Sequence, residues 1–173
     1  TAIDSVYIIE FPQITASIAS FTDTLTCFGD NDGTATVTPG GGTGNYSYLW
    51  SPSGGTAATA TGLVADTYDI RVTDDSGCIA RDTIIIAQKS QVTASVNDSS
   101  NVTCFGDNDG QATVTPGGGS GSYTYLWDDP GTQTNATATG LNGDTFRVTV
   151  TDDSGCTAID SVYIIEFPQI TAS

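Results

Sequence analysis

A verbatim internal repeat constrains the fold of this chain more than any other feature. Residues 1–17 recur letter for letter as residues 157–173, which gives a period of 156 residues. Each period holds two related copies, because CFGDNDG occurs at 27–33 and 104–110, and VTDDSGC at 72–78 and 150–156. Repeats of this size usually form one supersecondary unit each. We therefore expect two small domains of about half a period, roughly 78 residues each.

The repeat boundaries divide the chain into four segments. We expect residues 1–11 to be the last strand of a preceding repeat and residues 169–173 to start a following one. Residues 12–89 and 90–168 are then two complete repeats. The two differ in sequence, and we expect them to alternate along the array. The chain is thus expected to be a slice of a longer array, with neighbouring repeats of the same chain as partners.

The hydrophobic pattern predicts an all-β fold. Short runs with apolar residues at alternate positions are separated by clusters of Gly, Pro, Asn and Asp, as in strands joined by turns. Tyr46, Tyr48 and Trp50 alternate on one strand face, and the second copy repeats this stripe, which we interpret as core. About seven strands per copy, with a Trp on the third, indicate two tandem immunoglobulin-like Greek-key β-sandwiches arranged head to tail.

The charge balance restricts the partners. The chain has 20 acidic and 4 basic residues, a net charge of -16, so nucleic acid is disfavoured and divalent cations are favoured. No apolar run approaches the roughly 20 residues that a membrane-spanning helix needs, so the chain is not expected to span a membrane.

The acidic turns suggest calcium as a possible ligand. The DNDG segments have the alternating carboxylates and the turn-forming Gly of oxygen-ligand calcium loops, and the DDSG turns could supply further ligands if repeats stack head to tail. The alternative is that both are Asx-rich turns with no metal. The candidate ligands are Asp30, Asp32, Asp107, Asp109, Asp74, Asp75, Asp152 and Asp153.

The four cysteines, two per copy, indicate disulfides and an oxidising, extracellular location. Pairing within each copy would join Cys27 to Cys78 and Cys104 to Cys156. A sandwich places these positions at opposite ends of strands that span roughly 23 Å, whereas bridged Cα atoms lie within about 7 Å. The alternative pair is Cys27 with Cys156, which leaves Cys78 and Cys104 for neighbouring repeats.

Catalysis is not expected. The chain contains no His, no Ser in a nucleophile elbow, and no cysteine beside a base.

The motifs in their fixed order, C.GDNDG.ATV, GGG.G.Y.YLW, ATATGL and VTDDSGC, resemble the SprB-type repeat of Bacteroidetes gliding and adhesion proteins. A looser resemblance is to PKD-type domains. The SprB resemblance covers both copies and implies a filamentous adhesin on the cell surface, exported by type IX secretion and in some species moved by a gliding motor.

The expected function is a structural and adhesive repeat that attaches to an external surface or polysaccharide. The alternative is a discrete polysaccharide-binding module that would use the variable loops 51–57 and 128–135. Neither loop contains an aromatic residue that could stack on a sugar.

Overall fold

A computed structural model describes residues 4–171 of the chain. These residues fold into two units, and the first comprises the chain as far as Leu25 together with Gly29–Gln88. The second comprises Thr26–Phe28 and the chain from Lys89 onward. The short segment Thr26–Phe28 therefore belongs to the second unit although both of its neighbours belong to the first.

Each unit contains six strands within the described residues. The strands of the first unit are β1 Thr15–Phe21, β2 Gly33–Gly40, β3 Tyr46–Ser51, β4 Thr59–Leu63, β5 Asp66–Asp74 and β6 Ile79–Ile86. Those of the second are β7 Thr93–Ser100, β8 Gly110–Gly117, β9 Tyr123–Trp127, β10 Thr137–Leu141, β11 Thr145–Asp152 and β12 Thr157–Tyr163. This is one fewer than the expected number of about seven.

The six strands of a unit form two antiparallel sheets of three. In the first unit the sheets have the orders β1-β2-β4 and β3-β5-β6, and the second unit repeats them as β7-β8-β10 and β9-β11-β12. Successive strands from β2 to β5 alternate between the two sheets, which is a Greek-key connection. This confirms the prediction of two tandem immunoglobulin-like sandwiches.

The core of each unit lies between its two sheets. Tyr68, Ile70 and Val72 alternate inward on β5 and are buried, and Phe146, Val148 and Val150 do the same on β11. The indole of Trp50 is buried and donates a hydrogen bond to the carbonyl oxygen of Ala57, 3.0 Å away. Tyr46 and Tyr48 are half-buried against the same core, so the aromatic stripe is structural as predicted.

The same sequence adopts two conformations at two places in the chain. Residues 160–167 and residues 4–11 both read DSVYIIEF. The first of these segments contains the end of β12, and its Ile164 is fully buried. Residues 4–11 have no regular secondary structure, and the equivalent Ile8 is 84% exposed. The assignment of residues 1–11 to a preceding repeat stays a prediction, and residues 1–3 and 172–173 lie outside the described part.

Candidate functional site

The turn after the fifth strand of each unit is built around one buried aspartate. We call residues 74–78 and 152–156 the cysteine turns, since each ends in a cysteine. In the first, Asp74 Oδ1 accepts hydrogen bonds from the N–H groups of Ser76 and Cys78, at 3.0 and 2.8 Å. Its Oδ2 accepts the N–H of Thr43 in the β2–β3 loop at 2.9 Å. The carboxylate therefore fixes the turn and the neighbouring loop together.

The second cysteine turn has the same geometry. Asp152 Oδ1 accepts the N–H groups of Ser154 and Cys156, both at 2.9 Å, and Oδ2 accepts the N–H of Ser120 at 2.9 Å. Both turns also close through the main chain, because the N–H of each aspartate donates to the carbonyl oxygen of its cysteine at 3.0 Å.

These hydrogen bonds keep both carboxylates ionised. At Asp74, the N–H of Thr43 contributes most to lowering the pKa, and burial opposes it. At Asp152, burial raises the pKa, but the combined N–H groups of Cys156, Ser120 and Ser154 outweigh it and hold the pKa below its usual value. Both groups are thus acceptors for main-chain donors at neutral pH.

The second aspartate of each cysteine turn faces the solvent. Asp75 accepts the N–H of Asn45 at 2.9 Å, and Asp153 accepts the N–H of Ser122 at 3.0 Å. Gly44 and Gly121 have positive φ angles of 71° and 73°, and a Cβ at either would overlap the carboxylate of Asp75 or Asp153. These glycines are needed for the loop to approach the turn.

The DNDG segments lie in the loop before the second strand of each unit. We call residues 26–32 and 103–109 the cysteine loops. In the second, Asp109 accepts the N–H of Thr103 at 2.9 Å and also its hydroxyl group. The Thr103 hydroxyl is the largest cause of the lowered pKa of Asp109. Thr26, Asp30 and Asp32 of the first cysteine loop also have interaction partners.

An equivalent hydrogen bond in both copies anchors the cysteine loop to the residues that follow the sixth strand. The N–H of Gly29 donates to Gln88 Oε1 at 2.9 Å, and the N–H of Gly106 donates to Glu166 Oε1 at 2.5 Å. The cysteine loop thus lies at the end of the sandwich where the sixth strand finishes, and the cysteine turn lies where that strand begins.

The candidate calcium ligands are not gathered into one site in the described part of the chain. No group of three or more His, Cys, Asp or Glu residues there has a metal-binding arrangement. Within each unit the DNDG and DDSG carboxylates lie at opposite ends, and Asp74 and Asp152 already accept N–H groups on both oxygens. Calcium binding stays a prediction, for which scanning calorimetry with calcium and with chelator is the test.

The structure contains one disulfide, between Cys27 and Cys156, with a Cα–Cα distance of 5.7 Å. Pairing within copies, Cys27 to Cys78 and Cys104 to Cys156, was therefore the wrong alternative, and Cys78 and Cys104 are both free and exposed. The reason is strand length: β6 has eight residues, so it separates the two ends of the first sandwich by about 26 Å.

The sequence analysis missed a second pair of structural carboxylates. Asp82 Oδ2 accepts the N–H of Ile18 at 2.9 Å, and Asp160 Oδ2 accepts the N–H of Val96 at 2.8 Å. Ile18 and Val96 each precede a register shift in the first strand of their unit, so the carboxylates satisfy donors at a β-bulge. A signal was present, because Asp82 occupies an inward position between Ala80 and Ile84.

The variable loop of the second unit holds another buried carboxylate. Asp129 accepts the N–H groups of Gly131 and Gln133, both at 2.9 Å, and the side-chain amide of Gln133 at 3.0 Å. Burial raises its pKa, but these hydrogen bonds outweigh it, and the pKa lies below its usual value. Beside this loop is a cavity of about 440 Å³.

Together these features define a tandem repeat of small β-sandwiches whose buried carboxylates order turns and loops, with one disulfide between Cys27 and Cys156. Two segments of the chain, residues 19–55 and 96–132, match the SprB repeat. These two matches confirm the resemblance to the SprB repeat that the motifs predicted. A comparison with curated protein sequences finds no match.

The chain is similar to several solved structures at low sequence identity. A C-terminal fragment of intimin, solved with the intimin-binding domain of its translocated receptor, is 12% identical over 90% of this chain, with a TM-score of 0.37. Fibronectin(III)-like modules of Clostridium thermocellum CbhA are 14% identical over 87% of this chain and 93% of their own, with a TM-score of 0.35. The human desmocollin-1 ectodomain is 16% identical over 89% of this chain and 42% of its own, with a TM-score of 0.36. The chain spans 64% of the intimin fragment.

Between residues 4 and 171, no helix has the length and apolar character to cross a membrane.

Proposed function

We propose that this chain is a structural and adhesive segment of a long extracellular filament on the cell surface, which serves surface attachment and gliding motility. The observation that carries the proposal is the Cys27–Cys156 disulfide, which joins positions 129 residues apart in a chain with two SprB repeats. Such a bond encloses strands β2 to β11, and so nearly all of both cores, in one covalent loop.

The disulfide gives the chain a short covalent path for tension. A force applied to the two ends of the chain passes along the backbone to Cys27, across the sulfur–sulfur bond, and onward from Cys156. The backbone between the two cysteines does not bear that force while the bond is intact. A segment of this kind suits a filament that must hold its length under load.

The surface chemistry fits many weak contacts better than one strong site. The acidic side chains of the cysteine turns are engaged in holding loops. Contacts that are individually weak gain strength when many copies act together, because each bound copy raises the effective concentration of the next.

Beads in a flow chamber test this proposal. Beads that carry the chain at increasing density should stay attached to glass or to a polysaccharide-coated surface only above a threshold density. Beads that carry the reduced and alkylated chain at equal density are the control. The adhesive role is refuted by beads that detach at every density as readily as uncoated ones.

The alternative is a discrete polysaccharide site at the 440 Å³ cavity of the second unit, whose size suits a small ligand. Asn108 and Asn142 line it and offer amide groups. The Gln133 amide, in contrast, is used internally: it donates to the Thr139 carbonyl oxygen at 2.9 Å and accepts the Thr139 N–H at 3.0 Å. Saturable binding of the monomer to one glycan, weakened by Asn142→Ala, would favour this alternative over the filament.

A further inference from the structure

The two free cysteines occupy the same sequence positions as the two bonded ones. Cys104 lies in the second copy of CFGDNDG, where Cys27 lies in the first, and Cys78 lies in the first copy of VTDDSGC, where Cys156 lies in the second. The chain thus contains one cysteine loop and one cysteine turn that are joined, and one of each whose thiol is exposed.

The free cysteine turn already has the geometry of the bonded one. The N–H of Cys78 donates to Asp74 at 2.8 Å and that of Cys156 to Asp152 at 2.9 Å. The glycine before each cysteine has a φ angle of 83°. Because the unbonded turn is fixed by its own hydrogen bonds, no rearrangement is needed for Cys78 to accept a partner.

The free cysteine loop is fixed in the same way. Gly106 donates to Glu166 as Gly29 donates to Gln88, and the φ angles of the two glycines are 84° and 80°. The adjoining aromatic residue is also similarly exposed, at 55% for Phe105 and 49% for Phe28. Cys104 therefore presents its thiol from a loop anchored like that of Cys27.

Two residues beside the disulfide have counterparts at the equivalent positions of the first copy. The formed bond lies beside a cavity of about 290 Å³ whose walls include Gln91, Val92 and Thr157 of the second unit. The corresponding residues of the first copy are Gln13, Ile14 and Ile79, of which Ile14 is buried like Val92. The equivalent positions of the first copy thus also hold a glutamine and a buried aliphatic residue.

We propose that Cys104 of one copy of this chain forms a disulfide with Cys78 of a second copy, in the manner of Cys27 with Cys156. The pairing is heterologous, because it joins a cysteine loop to a cysteine turn, so each added copy leaves one free loop and one free turn. It produces an open covalent chain. The inference rests on the tandem-repeat part of the proposed function and is independent of what the filament adheres to.

The bond requires an oxidant, for which glutathione disulfide serves. The thiols of Cys104 and Cys78 each lose a proton, and a sulfur–sulfur bond forms between them. The two electrons released break the sulfur–sulfur bond of glutathione disulfide, which leaves as two molecules of glutathione.

Two complementary variants test the pairing. Cys78→Ser keeps only the Cys104 thiol, and Cys104→Ser keeps only the Cys78 thiol. Each is incubated at about pH 8, where thiolates form, in a glutathione redox buffer. Products are separated by non-reducing electrophoresis, and the disulfides are mapped by mass spectrometry of peptides, which also checks that Cys27–Cys156 is retained.

Each variant alone should stay monomeric, and an equal mixture should give a dimer of twice the monomer mass, linked only through Cys104 and Cys78. The unsubstituted chain should form a ladder of higher multimers that collapses on reduction. Dimers of either variant with itself, in amounts similar to the mixed dimer, would overturn the proposal. They would show that exposed thiols are oxidised on random encounter, without specific pairing of Cys104 with Cys78. So would an intramolecular Cys78–Cys104 bond, or the absence of any mixed dimer. None of these results depends on adhesion to a surface.

Discussion

Removing the Cys27–Cys156 disulfide should change how far the chain extends under force. We compare the chain with a Cys27→Ser/Cys156→Ser variant, both in a background in which the free cysteines Cys78 and Cys104 are replaced by Ser. Each protein is held by its two ends and stretched in a single-molecule instrument until its length stops increasing. The background substitutions are at exposed positions, so they serve as the matched control.

The expected difference follows from the length of the closed loop. With the bond intact, the Cα atoms of Cys27 and Cys156 stay 5.7 Å apart at any force below bond rupture. Without it, the 129 residues of sequence separation extend at about 3.4 Å each, which adds about 440 Å to the final length. In the bonded protein only the outer segments, with β1 and β12, can be drawn out.

The same pair of proteins should differ in stability. Closing a loop of 129 residues lowers the entropy of the unfolded chain, and the loop-length relation gives about 5 kcal/mol as the stabilisation. Chemical denaturation measures this difference in the free energy of unfolding.

In the stretching experiment, equal final extensions of the two proteins would refute the idea that tension bypasses the two cores through the disulfide.

Three further predictions test the packing and the turns. Leu25→Ala should lower the free energy of unfolding by about 2–5 kcal/mol, since Leu25 is fully buried, whereas Leu49→Ala on an exposed face should change it by less than about 0.5 kcal/mol; denaturant titration measures both. Gly118→Ala places a Cβ on a main-chain carbonyl oxygen and should lower the melting temperature far more than Gly155→Ala, whose φ is also positive but whose Cβ would meet nothing within 4 Å. The pKa of Asp152 is lowered on folding, so its contribution to stability is present at neutral pH and is lost as the pH falls below about 4. Asp152→Asn should therefore flatten the dependence of melting temperature on pH in that acid range, and an unchanged profile would count against the role of this carboxylate.

Strand identity and the core were predictable because alternation is a local property of the sequence. A strand places every second side chain on the same face, so Tyr68, Ile70 and Val72 had to share an environment, and they form the core of the first unit. The same parity extends to Asp74, which follows on the inward face of β5 and is buried, while Asp75 faces outward and is exposed. The distinct roles of the two adjacent aspartates thus follow from their positions in the strand.

Pairing between distant segments was not predictable from local sequence. Residues 4–11 and 160–167 are identical, yet only the second segment contributes to a sheet, because β11 lies beside it and forms the hydrogen bonds. The cysteines present the same difficulty, since four residues allow three pairings and each copy has one cysteine at either end of its sandwich. Geometry across the whole fold, rather than sequence spacing, selects Cys27 and Cys156.

The buried aspartate of the cysteine turn explains why a disulfide can form there without being needed to shape the turn. If the bond itself ordered the turn, the unbonded Cys78 would lie in a different conformation from the bonded Cys156. Instead, both cysteines donate to their aspartate at nearly the same distance, and both are preceded by a glycine with the same φ. The carboxylate sets the position of the sulfur-bearing residue before any cross-link exists. Reduction should therefore free the chain between the cysteines to extend under force while leaving each cysteine turn folded, which amide hydrogen exchange of Cys78 and Cys156 would show as similar protection in the reduced protein.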